Sequence, residues 1–175
     1  MVINEGEAAP GAKGIRVGVL VVSDRCAAGD SEDLSGPAIQ AELPEADFVV
    51  VLYAVVPDEK KVVAETLKRW GDQFECDVIL TCGGTGFGPR DITPEATAKV
   101  IDREAANISQ YLLMKGVESN PAAALSRGIA GVRGSTLIVN LPGNPKAAKE
   151  CAAWLRPLLS HAVDLLHGRE NGHPV

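Results

Sequence analysis

The chain has 175 residues, 46% of them hydrophobic and only 4% aromatic, with a formal net charge of −6. That length suits one domain with its own core, and a core of Val, Ala, Leu and Ile fits parallel α/β layers better than an aromatic-rich sandwich. The acidic balance, with no Lys/Arg-rich block, argues against a nucleic-acid binder, and no apolar run reaches the roughly eighteen residues of a membrane span.

Residues 1–14 lack the basic start and apolar block of a secretory signal and are expected to be a disordered lead-in to a domain at 15–168, with 169–175 a loose tail. Ile15–Val22 (IRVGVLVV) is apolar without alternation, the pattern of a central strand covered on both faces, and it stops abruptly at Ser23-Asp24-Arg25. A loop and a short helix over 36–43 follow. A second strand, Phe48–Val56, is broken by Pro57-Asp58-Glu59, and 58–74 has the spacing of an amphipathic helix. The third strand (Val78, Ile79, Leu80) runs into Gly83, Gly84, Gly86 and Gly88, then Thr93-Pro94-Glu95, which reads as an N-cap, a first-turn proline and a first-turn acid. Helices are expected over 94–102 and 107–115, and a short edge strand and turn over 128–134. A strand over 135–141 ends at Pro142-Gly143-Asn144-Pro145, and a long helix over 145–167 should kink at Pro157. Alternating strands and helices predict a mostly parallel sheet between helical layers.

Ligands of such sheets bind beyond the carboxyl ends of the strands. Four strands here exit into polar segments, SDR, PDE, GGTGFGPRD and PGNPK, which predicts that Asp24, Asp58 and Asp91 share one edge around a glycine turn. A strand-to-glycine-to-helix junction turns backbone N–H groups outward and suits an anionic ligand. Carboxylates gathered there repel unless something positive joins them, and a hard cation such as Mg²⁺ is the natural partner. A carboxylate can instead pair with a ring amide and amine of a guanine or pterin, or cap a helix, as Asp58 is well placed to do. Lys146 in the first turn of the last helix opposes the macrodipole preference and makes sense beside a phosphate, with Arg90 able to serve the same end; each is otherwise a solvated surface charge. Ser126 and Arg127 are ambiguous from pattern alone.

Other chemistries lack their signatures. GGTGFG is neither a P-loop nor G-x-G-x-x-G, and no G-x-S-x-G elbow occurs. Cys26, Cys76, Cys82 and Cys151 form no C-x-x-C pair; Cys76 and Cys82 are expected in the core, and a cytoplasmic setting is the default. His161, His167 and His173 lie away from every motif, which argues against a triad or zinc site.

TCGGTGFGPRDITPEAT, preceded by SDR and PDE and followed by NLPGNPKA, resembles the molybdopterin-binding family of molybdenum-cofactor biosynthesis, which includes bacterial molybdopterin adenylyltransferases and the G domain of gephyrin. The resemblance covers nearly the whole chain and implies a three-layer α/β sandwich, with a mostly parallel central sheet and helices on both faces, assembling as a homotrimer. It implies transfer of AMP from ATP to the terminal phosphate of molybdopterin, with Mg²⁺ and release of pyrophosphate. No protein nucleophile is then required. By motif, Asp58 and Asp91 would be the catalytic and metal-binding pair. Ser23, Asp24, Gly83, Gly84, Thr85, Gly86, Arg90, Ser126, Pro142, Gly143, Asn144 and Lys146 would contact substrate or nucleotide, Asn144 standing where many members carry Ser. The implied partners are these small molecules and, transiently, other proteins of the pathway, with neither nucleic acid nor membrane. A paralogous branch shares the motifs, so a molybdopterin-binding or scaffold module without adenylylation is the alternative.

Overall fold

A computed structural model describes residues 2–5, 14–74 and 76–169. Among these, β1 (Val2–Glu5), β2 (Ile15–Val22), β3 (Phe48–Val56), β4 (Val78–Cys82), β5 (Arg103–Glu104), β6 (Ala130–Arg133) and β7 (Thr136–Leu141) form one seven-stranded sheet in the order β1-β3-β2-β4-β7-β6-β5. The central four, β3, β2, β4 and β7, are parallel, with Val17 opposite Val78 and Val78 opposite Leu137. Antiparallel strands flank them on both sides.

The apolar runs are buried on both faces because helices cover both. Val17, Val19, Val21, Val78, Leu80, Val139 and Leu141 pack against α2 (Ser35–Gln40), α5 (Ala106–Ser119) and α6 (Pro145–Leu166), with Ile39, Leu112, Ala152, Leu155 and Leu159 as their contacts. Leu20, Val22, Ile79 and Ile138 point the other way, onto α3 (Lys60–Asp72) and α4 (Thr93–Ala98), through Val63, Leu67, Trp70 and Ala96. This is the three-layer α/β sandwich with a mostly parallel centre. Trp70 is fully buried against Gly18, where a Cβ would stand 2.7 Å from the indole ring. The β2–β3 register shifts beside that same glycine.

Several details depart from the sequence reading. Within the lead-in expected to be disordered, Val2–Glu5 pairs as an edge strand on β3. Its β-branched Val-Ile pair meets an edge of unpaired backbone groups, which outweighs the polar composition around it. Residues 6–13 of that segment and 170–175 of the tail lie outside the described residues. A short helix not anticipated from sequence, α1 (Asp24–Ala28), precedes the expected loop after β2; it is capped by Ser23 Oγ, which accepts from the Cys26 N–H at 3.3 Å. The 128–134 strand is not an edge, since β5 covers its far side. Thr93 is inside α4 and does not cap it; its hydroxyl donates to the Gly83 carbonyl at 2.8 Å. The long last helix is as expected, α6 running Pro145–Leu166 with Pro157 inside it.

Candidate functional site

The sheet order fixes the site. β3, β2, β4 and β7 lie side by side and parallel, so their carboxyl ends present Asp58, Asp24, the glycine turn and Pro142-Gly143 in that sequence along one edge. β4 can turn there because Gly83 and Gly84 both occupy the left-handed region, at φ +99° and +62°. Gly83 also permits three backbones to meet. A Cβ on it would fall 2.2 Å from the Val22 carbonyl oxygen, and a Cβ on Gly143 would be 3.1 Å from the Gly83 Cα.

Asp24 and Asp58 are cross-linked through their main chains. The Asp24 N–H donates to Asp58 Oδ2 at 2.7 Å, and the Asp58 N–H donates to Asp24 Oδ1 at 3.0 Å. Arg90 reaches back over this pair and donates from Nε and Nη2 to the two Asp24 oxygens, both at 2.9 Å. That fork, reinforced by the Asp58 N–H, holds the Asp24 carboxyl below the usual range, against some opposing desolvation. Asp58 goes the other way: burial raises its pKa, the Asp24 N–H offsets part of this, and the charges of Asp24 and Asp91 add to it. Asp91 folds back over its own loop, Oδ2 accepting from the Gly88 N–H at 2.7 Å. The three carboxylates therefore do gather around the glycine turn.

Arg90 stands among them as a positive group, and among the described residues no group of three or more His, Cys, Asp or Glu could hold a metal ion. The donor set fits Mg²⁺ in its sparse form, with one or two carboxylates and the remaining positions on water and phosphate. Oδ2 is the hydrogen-bonded oxygen on both Asp58 and Asp91, which leaves Oδ1 of each available. Arg90 spends its fork on Asp24, so the phosphate role expected of it competes with an existing ion pair.

A cavity of about 740 Å³ opens beside the turn, toward α5 and α6. Nine of the expected residues line it: Gly84, Thr85, Gly86, Asp91, Ser126, Pro142, Gly143, Asn144 and Lys146. The other five, Ser23, Asp24, Asp58, Gly83 and Arg90, are outside the lining. Of these, Asp24 and Asp58 belong to the exits on the far side of the turn, and a Cβ on Gly84 would come within 3.0 Å of Asp58 Oδ1. The turn therefore stands between a carboxylate side and a cavity side. Asn144 caps α6, accepting from the Ala147 N–H at 3.1 Å, while Lys146 is exposed with only a loose 3.9 Å pairing to Glu150.

Sequence reasoning missed Asn140 and left Arg127 unresolved. Asn140 lines the cavity and is buried; it donates to Thr81 Oγ1 at 3.0 Å and Thr97 Oγ1 at 2.9 Å and accepts from the Ile129 N–H. Its signal was a lone amide inside an apolar strand, where an unpaired polar group is costly. Cys76, Cys82 and Cys151 are buried, and burial pushes the first and last up to about 12, so these thiols stay protonated. His167 pairs with Asp77 at 2.7 Å, at the amino end of β4 and away from the glycine turn. His173 lies outside the described residues.

Fold and geometry together define a three-layer α/β domain with a cavity beside a glycine turn at the carboxyl edge of its parallel strands. The family described as "Probable molybdopterin binding domain" matches residues 18–161. The chain belongs to this molybdopterin-binding family of molybdenum-cofactor biosynthesis. The molybdopterin adenylyltransferase of a Helicobacter pylori strain is 42% identical over 156 residues, covering 88% of this chain and 89% of its own length. The molybdenum cofactor synthesis protein cinnamon of Drosophila melanogaster is 44% identical over 153 residues, 87% of this chain but 26% of that longer protein. Among solved structures, the molybdopterin biosynthesis enzyme MoaB of Thermus thermophilus superposes with a TM-score of 0.83 at 46% identity, covering 88% of this chain and 97% of that one.

Proposed function

We propose that this protein is a molybdopterin adenylyltransferase. An oxygen of the terminal phosphate of molybdopterin attacks the α-phosphorus of ATP; the new P–O bond forms as the bond to the leaving pyrophosphate breaks. Both reactants are anionic and carry their own nucleophile and leaving group, so the protein's work is positioning and charge neutralisation. One observation carries the reading: two carboxylates, Asp58 and Asp91, flank a glycine turn that opens onto a cavity with Lys146 and the α6 amino end on its rim. The near full-length match to an adenylyltransferase supports it. In this reading the turn and α6 N–H groups receive phosphate oxygens, and Lys146 offsets their charge. Asp58 and Asp91 would hold Mg²⁺, which when bound supplies positive charge to the triphosphate. Exposed Leu113, Met114, Val117 and Leu125 offer an apolar surface for the homotrimer we assign, in a cytoplasmic setting.

The test is incubation of the purified chain with molybdopterin, ATP and Mg²⁺. Adenylylated molybdopterin and pyrophosphate in equal amounts are expected, and bound molybdopterin without either product overturns the transferase reading. The second reading is a molybdopterin-binding paralogue or scaffold module without adenylylation, which the match to a family described by molybdopterin binding alone supports. Lys146→Ala is expected to weaken phosphate-dependent substrate binding about tenfold, the scale of one charge-assisted hydrogen bond, with Tm unchanged. Titration of both substrates checks it; wild-type affinity would leave Lys146 a solvated surface charge.

A further inference from the structure

We infer that Arg127 is a positioning residue that presets the glycine turn and Asp91 for the proposed transfer, an inference that rests on that reading. Arg127 immediately follows Ser126 and precedes Gly128, both of which line the cavity, yet Arg127 itself is absent from the lining. Its guanidinium instead grips the back of the loop. Nε donates to the Gly86 carbonyl at 2.6 Å, Nη2 donates to the Asp91 carbonyl at 2.7 Å, and Nη1 pairs with Glu95 Oε1 in the first turn of α4. The Arg127 N–H adds a fourth tie, to the Thr85 carbonyl at 2.8 Å. One residue, more than thirty positions away in sequence, thus fastens both ends of the 86–91 loop and the helix that follows it.

The loop needs an external hold. Residues 83–92 contain no helix or strand, and their internal ties are two hydrogen bonds between Gly88 and Asp91. The Asp91 carboxylate lies across Gly86 and Gly88, where a Cβ would approach Oδ2 to 2.9 and 2.8 Å, so loop shape and carboxylate position are one variable. Arg127 sets that variable through both flanking carbonyls. A planar fork with donors in fixed directions can satisfy two carbonyls and a carboxylate together; an ammonium on a flexible stem cannot. Glu95 completes the device by orienting the fork, and its own carboxyl is held below the usual range chiefly by the hydrogen bond from Arg127.

The test compares wild type with Arg127→Lys and Glu95→Gln, each measured for kcat, KM, Tm and amide hydrogen exchange over 84–92. Arg127→Lys keeps the charge but loses the fork; its kcat is expected to fall about 10- to 100-fold, the cost of misplacing a reacting group by about 1 Å. KM for ATP and Tm should stay near wild type, and exchange should quicken within the loop. Glu95→Gln, which retains the side-chain shape, should move kcat and exchange in the same direction by less. A merely stabilising arginine would lower Tm in both variants and leave kcat, measured below Tm, unchanged; that result, or wild-type exchange in Arg127→Lys, overturns the positioning role. A wild-type chain that forms no adenylylated product instead overturns the transferase reading, so the two failures are told apart.

Discussion

Asp58→Asn and Asp91→Asn are each expected to lower turnover by about 10²-fold or more, the scale for losing one preorganised charge partner, while leaving the fold intact. The hydrogen bonds predict the second half of that statement. Asp58 Oδ2 accepts one N–H, from Asp24, and Asp91 Oδ2 accepts one, from Gly88; an asparagine carbonyl oxygen can accept either. What disappears is charge, and at Asp58 the charge is held at a cost. Its folded-state pKa is raised above the ordinary 3.8, chiefly by burial. For an acid shifted upward, ionisation disfavours the folded state at neutral pH, and the penalty lifts as pH falls through the raised value. Asp24 and Glu95 are shifted downward, so their contributions are present above the ordinary carboxylate range and fade as pH falls through the lowered values. Asp58→Asn should therefore match or slightly exceed wild type in Tm at pH 7 while losing activity, a separation that a purely structural aspartate does not give. Thermal unfolding and steady-state rates with ATP, Mg²⁺ and molybdopterin check both halves. Unchanged turnover in either variant removes that residue from the transfer machinery.

The parts of this molecule that were legible in sequence are those in which local pattern and global packing agree. IRVGVLVV and FVVVLYAVV lie between two helical layers, and their lack of polar alternation said so; the four polar exits fall on one edge because parallel strands leave no other arrangement. The illegible parts are long-range decisions between groups with several possible partners. Nothing local to Thr93 says that its hydroxyl will satisfy Gly83 rather than cap its own helix. Arg90 pairs with Asp24, 66 residues away, and nothing local to Arg90 names that partner. Arg127 chose two loop carbonyls that are interchangeable with any others until the sheet brings β6 beside the turn. A short β-branched stretch such as Val2-Ile3 finds a strand only because β3 has a free edge to offer. Capping and pairing residues were recognisable as polar and well placed, but their partners were not.

Gly83→Ala is expected to destabilise the protein by about 4 kcal/mol or more, placing it among the rare severe point changes. Two costs combine. The backbone at φ +99° disfavours any L side chain, and the added Cβ would stand 2.2 Å from the Val22 carbonyl oxygen, a main-chain atom with no rotamer to relax. The neighbours cannot make room, because Val22 ends β2, Leu141 accepts the Gly83 N–H at 3.3 Å from the end of β7, and Thr93 Oγ1 donates to the Gly83 carbonyl. For a chain of this size the change corresponds to a fall in Tm of about 10 °C. Gly29→Ala is the matched control: Gly29 is also left-handed, at φ +82°, but its Cβ would meet nothing within 4 Å, so only the backbone term of about 1 kcal/mol applies. Calorimetry of the pair separates conformational strain from crowding. A Gly83→Ala loss no larger than that of Gly29→Ala would mean that the three strand ends can part at little cost. In that case the turn is not a rigid floor, and the placement of Asp58 and Asp91 on its two sides would have to be maintained by the substrates instead of the fold.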